Sequence, residues 1–217
     1  ETAGKKDPKK AQDYAMSKPV VDLSWDVAKK AQIVMRNNKN ILPLKPNQKI
    51  LVIEQRIPYE FVGKDPYNHT HILCEEMYKY AHDLILADTG FAAVQDEINE
   101  CLKLAKQADV VVMTNYYARI VKTGNNQLLA KKLKAAGHKV IVMTNFPYVE
   151  GTTAEADAVV CNFSGTPDSI RVSAGVIFGK IKPSASTKVP VKIQGQKSIP
   201  MKKLKAAKAN PFGLSGS

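Results

Sequence analysis

Short apolar runs recur along this chain between stretches whose apolar residues fall at helical spacing. Lys49 to Glu54 (KILVIE), Asp83 to Asp88 (DLILAD), Asp109 to Met113 (DVVVM), Lys139 to Met143 (KVIVM) and Ala156 to Cys161 (ADAVVC) are such runs. Each is apolar at consecutive positions, so it suits a strand buried on both faces rather than one facing water. Between them, Ile98, Cys101, Leu102 and Ala105 share one helical face over 95–107, and Asn126 to Ala136 forms a helix stopped by Gly137. Residues 70–82 make a further helix. Thr166 and Pro167 open the last one, with Ile170, Ala174 and Ile177 as its buried stripe and Gly179 at its end. Strand and helix in alternation predict an α/β fold, a three-layer α/β/α sandwich of flavodoxin-like appearance. Its mostly parallel sheet has about five or six strands.

Upstream, the spacing of Val27, Ala28, Ala31, Val34 and Met35 predicts one helix from Ser24 that ends at Asn37-Asn38. Residues 1–22 read as a linker or lead-in segment, 23–194 as the sandwich domain and 195–217 as a basic tail. The beginning, ETAGKKDPKK, has no apolar signal core and no Met, and reads as processed or excised. No run approaches the length of a membrane span.

The net charge of +12 is gathered late in the chain: from Ser169 onward there are nine Lys and one Arg and no acidic residue. Aromatics are not interleaved with these cations, as a nucleic-acid groove would need, so no nucleic acid is expected. Cys74, Cys101 and Cys161 lack metal or redox spacing and read as buried thiols. His69 and His71 read as a surface pair, while Asn68-His-Thr70 and Asn162-Phe-Ser164 match the short glycosylation sequon. No Gly-rich phosphate loop follows the first run, and no nucleophile elbow, Walker lysine or zinc-helix motif occurs, so no cofactor or metal is expected. A phosphorylated receiver would pair Asp88 with further acids after the first strand, where Gln55-Arg56 stand.

Two runs share a tip. VVVMTNYYAR (110–119) and VIVMTNFPY (140–148) both end in Met-Thr-Asn followed by aromatics. In a parallel sheet these tips lie at the carboxyl ends of strands, where such folds bind ligands. Asn115, Tyr116, Tyr117, Arg119, Asn145 and Tyr148 are therefore the candidate substrate-binding residues, suited to hydrogen-bond and stack on a sugar.

The order of motifs resembles the second domain of glycoside hydrolase family 3. AKKAQIVMRNNKNILPLKPNQKILVI is similar to the family's first helix, turn and strand. AKQADVVVMTN and AAGHKVIVMTNFPY resemble later helix-to-strand segments, with Pro147 at a proline position. The stretch ADAVVCNFSGTPDSIRVSAGVIFGKIKPSASTKVPVKI carries the matching Phe178-Gly179, Pro183-Ser184 and Val189-Pro190, and NPFGLS closes the series.

The resemblance implies a glycosidase whose catalytic aspartate resides in a (β/α)8 barrel, the partner domain, and whose substrate is a β-linked sugar. In the β-glucosidase-like branch an acid/base glutamate comes from this second domain, and its position aligns with Arg119. A guanidinium stays charged and cannot protonate a leaving group. The implied branch is the exo-β-N-acetylglucosaminidases, which draw their acid from a barrel histidine, with cell-wall or chitooligosaccharide substrates. This chain then has no catalytic residue of its own and supports or lines the cleft. The alternative is a non-catalytic carbohydrate or cell-wall binding module, and a third reading is an unrelated flavodoxin-like domain binding a small anion. Basic charge and cell-wall substrates point to a secreted or envelope location, and free cysteines to the cytoplasm.

Overall fold

Strand sequences that are apolar throughout require cover on both faces, and the computed structural model provides it. The structure describes residues 7–56, 71–116, 126–148 and 155–186. The elements are α1 (Pro8–Ala15), α2 (Lys18–Lys30), β1 (Ile33–Asn37), β2 (Ile50–Gln55), α3 (Ile72–Met77), β3 (Leu84–Thr89), α4 (Gln95–Ala105), β4 (Val110–Thr114), α5 (Gln127–Ala135), β5 (Val140–Thr144), β6 (Ala158–Cys161) and α6 (Pro167–Ile177). They build one six-stranded sheet in the order β1-β6-β5-β4-β2-β3. Every neighbouring pair is parallel except β1 with β6.

Alternation along each strand divides the core in two. Ile50, Val52, Val110, Val112, Ile141, Met143 and Val160 point to the face covered by α3 and α6, together with Leu73, Met77 and Ile177. Leu51, Ile53, Val111, Met113, Val140, Val142 and Val159 point to the other face, under α4 and α5, with Ile98, Leu129 and Leu133. Period-two alternation sets this sorting, so the three-layer expectation is met.

The first expected helix is two elements. α2 stops at Lys30, and Ile33–Asn37 is an edge strand antiparallel to β6. The cause is Gln32, whose buried amide donates to the Ala28 and Ser169 carbonyls and ties the end of α2 to α6. The β-branched pair Ile33-Val34 then continues as strand, where such side chains fit better than in a helix. Within the stretch read as a linker or a short entry helix, Asp7 caps α1 by accepting the Lys9 and Lys10 amides, and residue 22 lies within α2.

Helix endings follow the sequence more closely. Gly137 (φ 88°) and Gly179 (φ 67°) take the left-handed conformation after α5 and α6. A Cβ on Gly179 would also lie 2.9 Å from the Pro43 Cβ, so the position excludes a side chain twice over.

All three cysteines are free and buried, as expected. Burial pushes the thiols of Cys74, Cys101 and Cys161 up to about 12, which leaves almost no thiolate at neutral pH. Native protein should therefore leave Ellman's reagent nearly unreacted over minutes, and unfolding in guanidinium should release three thiols. Rapid native labelling would contradict this packing.

Candidate functional site

The chain winds outward from β2 to β3 in one direction and then crosses back to β4 on the other side, so the strand order reverses beside β2. Crevices at such reversals open at the carboxyl ends of the strands. Here that edge is finished by polar residues: Glu54 and Gln55 on β2, Asp88 and Thr89 on β3, Thr114 and Asn115 at β4, Thr144 and Asn145 at β5, and Asn162 at β6.

Most of this layer is buried and bonded to itself. The Gln55 amide N–H donates to Thr114 Oγ1 (2.7 Å), while its side chain donates to the Phe91 carbonyl (2.6 Å) and accepts from the Tyr116 backbone N–H. Asn115 Oδ1 accepts the Asn126 N–H at 2.8 Å. Asn126 in turn donates from its side chain to Thr89 Oγ1 (2.8 Å) and accepts from the Ala93 N–H (2.9 Å). The ends of β2, β3 and β4 are thereby stitched together, with the terminal backbone groups satisfied by side chains.

Glu54 stands apart chemically. It is only 7% exposed, and its two carboxyl oxygens accept the backbone N–H groups of Leu73 (3.1 Å) and Cys74 (2.8 Å) at the start of α3. Burial raises its pKa to about 7, against the opposing pull of those two N–H groups. His71 Nε2 and Asp88 Oδ1 form a half-exposed pair nearby. The Tyr116 ring is in the core, and its hydroxyl is buried without a hydrogen-bond partner among the described residues. Burial, then the charge of Glu54, raises that hydroxyl well above the ordinary tyrosine value.

The six candidate residues therefore separate. Asn115 (0% exposed) and Tyr116 (4%) lie inside the layer beneath the tip. Asn145 is half-buried and Tyr148 is exposed at the end of β5, where Tyr148 packs edge-on against Phe146 with ring centroids 4.9 Å apart. Tyr117 and Arg119 lie outside the described residues, as do His69, the sequon at Asn68 and the tail 195–217. The second sequon is turned inward: Asn162 is fully buried, donates to Ser173 Oγ and accepts the Ser164 N–H. Its nitrogen is closed to a glycosyl donor once the chain has folded.

Sequence reasoning passed over Glu54 and Asn126. A carboxylate closing an otherwise apolar parallel strand was the available signal for the first; the partners of Asn126 come from three other segments and leave no local trace. Among the described residues no cluster of three or more His, Cys, Asp or Glu side chains could hold a metal, and no helix is long and apolar enough to cross a membrane.

Residues 32–214 match the family model of the glycosyl hydrolase family 3 C-terminal domain. That match begins where α2 gives way to β1 and extends into the basic tail. No curated protein matches the chain. Among solved structures, the fold is similar to a glycoside hydrolase family 3 β-N-acetylglucosaminidase from Paenibacillus sp. str. FPU-7 (TM-score 0.63, 18% identity, 79% of this chain and 33% of that one). It is also similar to a β-glucosidase from Listeria innocua (TM-score 0.64, 14% identity, 84% of this chain and 29% of that one). A family 3 exo-β-xylosidase matches at TM-score 0.55 and 17% identity, over 75% of this chain and 24% of its own. At these identities the likeness is one of fold, and this chain spans a third or less of each relative.

Proposed function

This chain belongs to the glycosyl hydrolase family 3 C-terminal domain family, and from that premise we propose that it supports and lines the sugar cleft of a (β/α)8 barrel in an exo-β-N-acetylglucosaminidase-like parent. Its substrates are β-linked amino sugars of cell-wall glycan or chitooligosaccharides. What supports this reading is the arginine at position 119, which by the family resemblance stands where the glucosidase-like branch would place its acid. Retaining hydrolysis needs a group that can deliver a proton to the leaving oxygen and a carboxylate on the opposite side of the bond. A permanent cation cannot do the first, so the proton donor belongs to the barrel.

The division of the six candidates fits that role. Asn115 and Tyr116 hold the end of β4 from below, while Asn145 and Tyr148 present a polar group and an aromatic ring at the neighbouring tip. Arg119, outside the described residues, carries the charge that would suit the carboxylates of cell-wall muropeptides.

The isolated chain should leave a chromogenic β-N-acetylglucosaminide intact over hours, and the full-length gene product should cleave it. Robust turnover by the purified chain would place the acid on this domain and sink the proposal. Calorimetric binding of chitooligosaccharides by the isolated chain, with no turnover by the full-length product, would favour a free-standing carbohydrate-binding module instead.

A further inference from the structure

Charge on this domain is sorted between the two ends of its parallel strands. The carboxyl edge, which carries the candidate tips, gathers Glu54, Asp88, Asp96 and Glu97 beside Arg56. The amino edge, on the opposite side of the sheet, gathers Lys39, Lys45, Lys49, Lys106, Lys139 and Lys180. Lys49 is half-buried and the others are exposed, and among the described residues none of them forms an ion pair. The backbone holds them side by side. The Asp109 N–H donates to the Lys49 carbonyl (2.8 Å) and the Val111 N–H to the Lys139 carbonyl (2.9 Å), so the starts of β2, β4 and β5 adjoin. Strand spacing sets the backbones at Lys49 and Lys139 roughly 10 Å apart. The Leu44 N–H donates to the Ile177 carbonyl (2.9 Å), which brings the loop of Lys45 to the end of α6, beside Lys180. Asn37 closes the turn that carries Lys39 by bonding both backbone groups of Leu42. Acids at this edge are already engaged. Asp157 holds Lys134 (2.8 Å) and the Val140 N–H (2.9 Å), and Asp109 accepts the Lys49 N–H (2.9 Å). The helix dipole accounts for Lys103, Lys132 and Lys134, which stand in last turns. It does not account for Lys45, Lys49 and Lys139, which lead into strands.

We propose that the amino edge is a binding surface for a linear phosphodiester polymer of the cell wall, a poly(glycerol phosphate) chain whose repeating charges lie along these lysines. The choice of a wall polymer rests on the reading above. Ammonium groups on flexible stems suit the phosphates of a flexible chain, whereas carboxylates are better matched by the planar fork of arginine. Among the described residues this edge exposes no arginine, since Arg36 is buried. A field of one sign also draws such a polymer to one side of the domain. The two edges face opposite ways, so the polymer and a sugar in the cleft can be held together, which keeps the parent beside the glycan it cuts.

Titration calorimetry of the chain with deacylated poly(glycerol phosphate), repeated over a range of salt concentrations, tests this. The Lys45→Gln/Lys106→Gln/Lys139→Gln/Lys180→Gln variant should bind at least about tenfold more weakly, and its plot of log K against log salt should be shallower by about 3. Its melting temperature should move by no more than about 3 °C, because the replaced side chains are already in water. A matched variant, Lys202→Gln/Lys203→Gln/Lys205→Gln/Lys208→Gln, has the same net charge and should keep its affinity within about twofold. Equal losses in the two variants would show that net charge alone binds the polymer, and overturn the assignment. Tighter binding of single-stranded DNA, lost in the first variant, would assign the edge to nucleic acid and also overturn it. A full-length gene product that hydrolyses a β-N-acetylglucosaminide but does not bind the polymer overturns this inference alone. One that binds the polymer through these lysines yet hydrolyses no such substrate supports the surface and overturns the preceding reading.

Discussion

Replacing Glu54 with glutamine flattens a fall in stability that the unaltered protein shows as pH rises from about 4.5 to about 7. The sign runs opposite to that of a salt-bridged carboxylate. The folded state raises the pKa of Glu54 to about 7, so the native protein holds a proton that the unfolded chain has already released. Stability from this group is complete below the unfolded value near 4.5 and is lost as pH climbs to the folded value. A shift from 4.5 to about 7 corresponds to roughly 3 kcal/mol. Urea unfolding at half-unit steps between pH 4 and pH 8 reads it directly. Subtracting the curve of Glu54→Gln from that of the unaltered protein isolates Glu54 from every other ionisable group. The variant carries its own cost, because its amide nitrogen faces either the Leu73 or the Cys74 N–H, both of which need an acceptor. That cost is nearly constant with pH and leaves the slope as the signature. A difference curve that is flat from pH 4.5 to 7 would show that Glu54 is not buried as described.

Removing the side chain of Asn126 should destabilise the domain by about 3 kcal/mol, a large effect for a polar residue. Asn126→Ala deletes the partner of Thr89 Oγ1 and of the Ala93 N–H at once. Thr89 is fully buried, so water does not replace the lost donor. Adding Thr89→Val removes the orphaned hydroxyl and should recover about 1 kcal/mol, since losing both partners costs less than losing one. Additive losses in the double variant would show that the two side chains are not coupled. The consequence reaches the substrate side. Asn126 is bound to Asn115, so the two ends of the stretch that carries Tyr117 and Arg119 lie one hydrogen bond apart.

The parallel strands and their helices were legible because a strand buried on both faces has almost no other way to be written. β2, β4 and β5 differ from the expected runs by a residue or less. β1 was not legible. Val34 and Met35 extend the apolar spacing of α2, and the break is revealed by the bonds of Gln32 to Ser169 and Ser173, far along the chain. The repeated Met-Thr-Asn tips correctly marked the carboxyl edge, but polarity did not reveal which residues face outward. Asn115 is buried because strand ends need side chains to satisfy their own backbone, and its partner lies eleven residues along the chain. Asn145, with the same local sequence, is half-buried at a tip that Pro147 and the Phe146–Tyr148 ring pair shape differently.

The antiparallel edge strand also fixes where the path begins and finishes. The carbonyl of Gln32, just before β1, accepts the Ala185 N–H at 3.0 Å, after α6 has been left behind. The sheet is thus completed between two points that touch. That hydrogen bond pins the residue before the edge strand to the stretch after the last helix, so neither can loosen from this corner of the sheet without releasing the other.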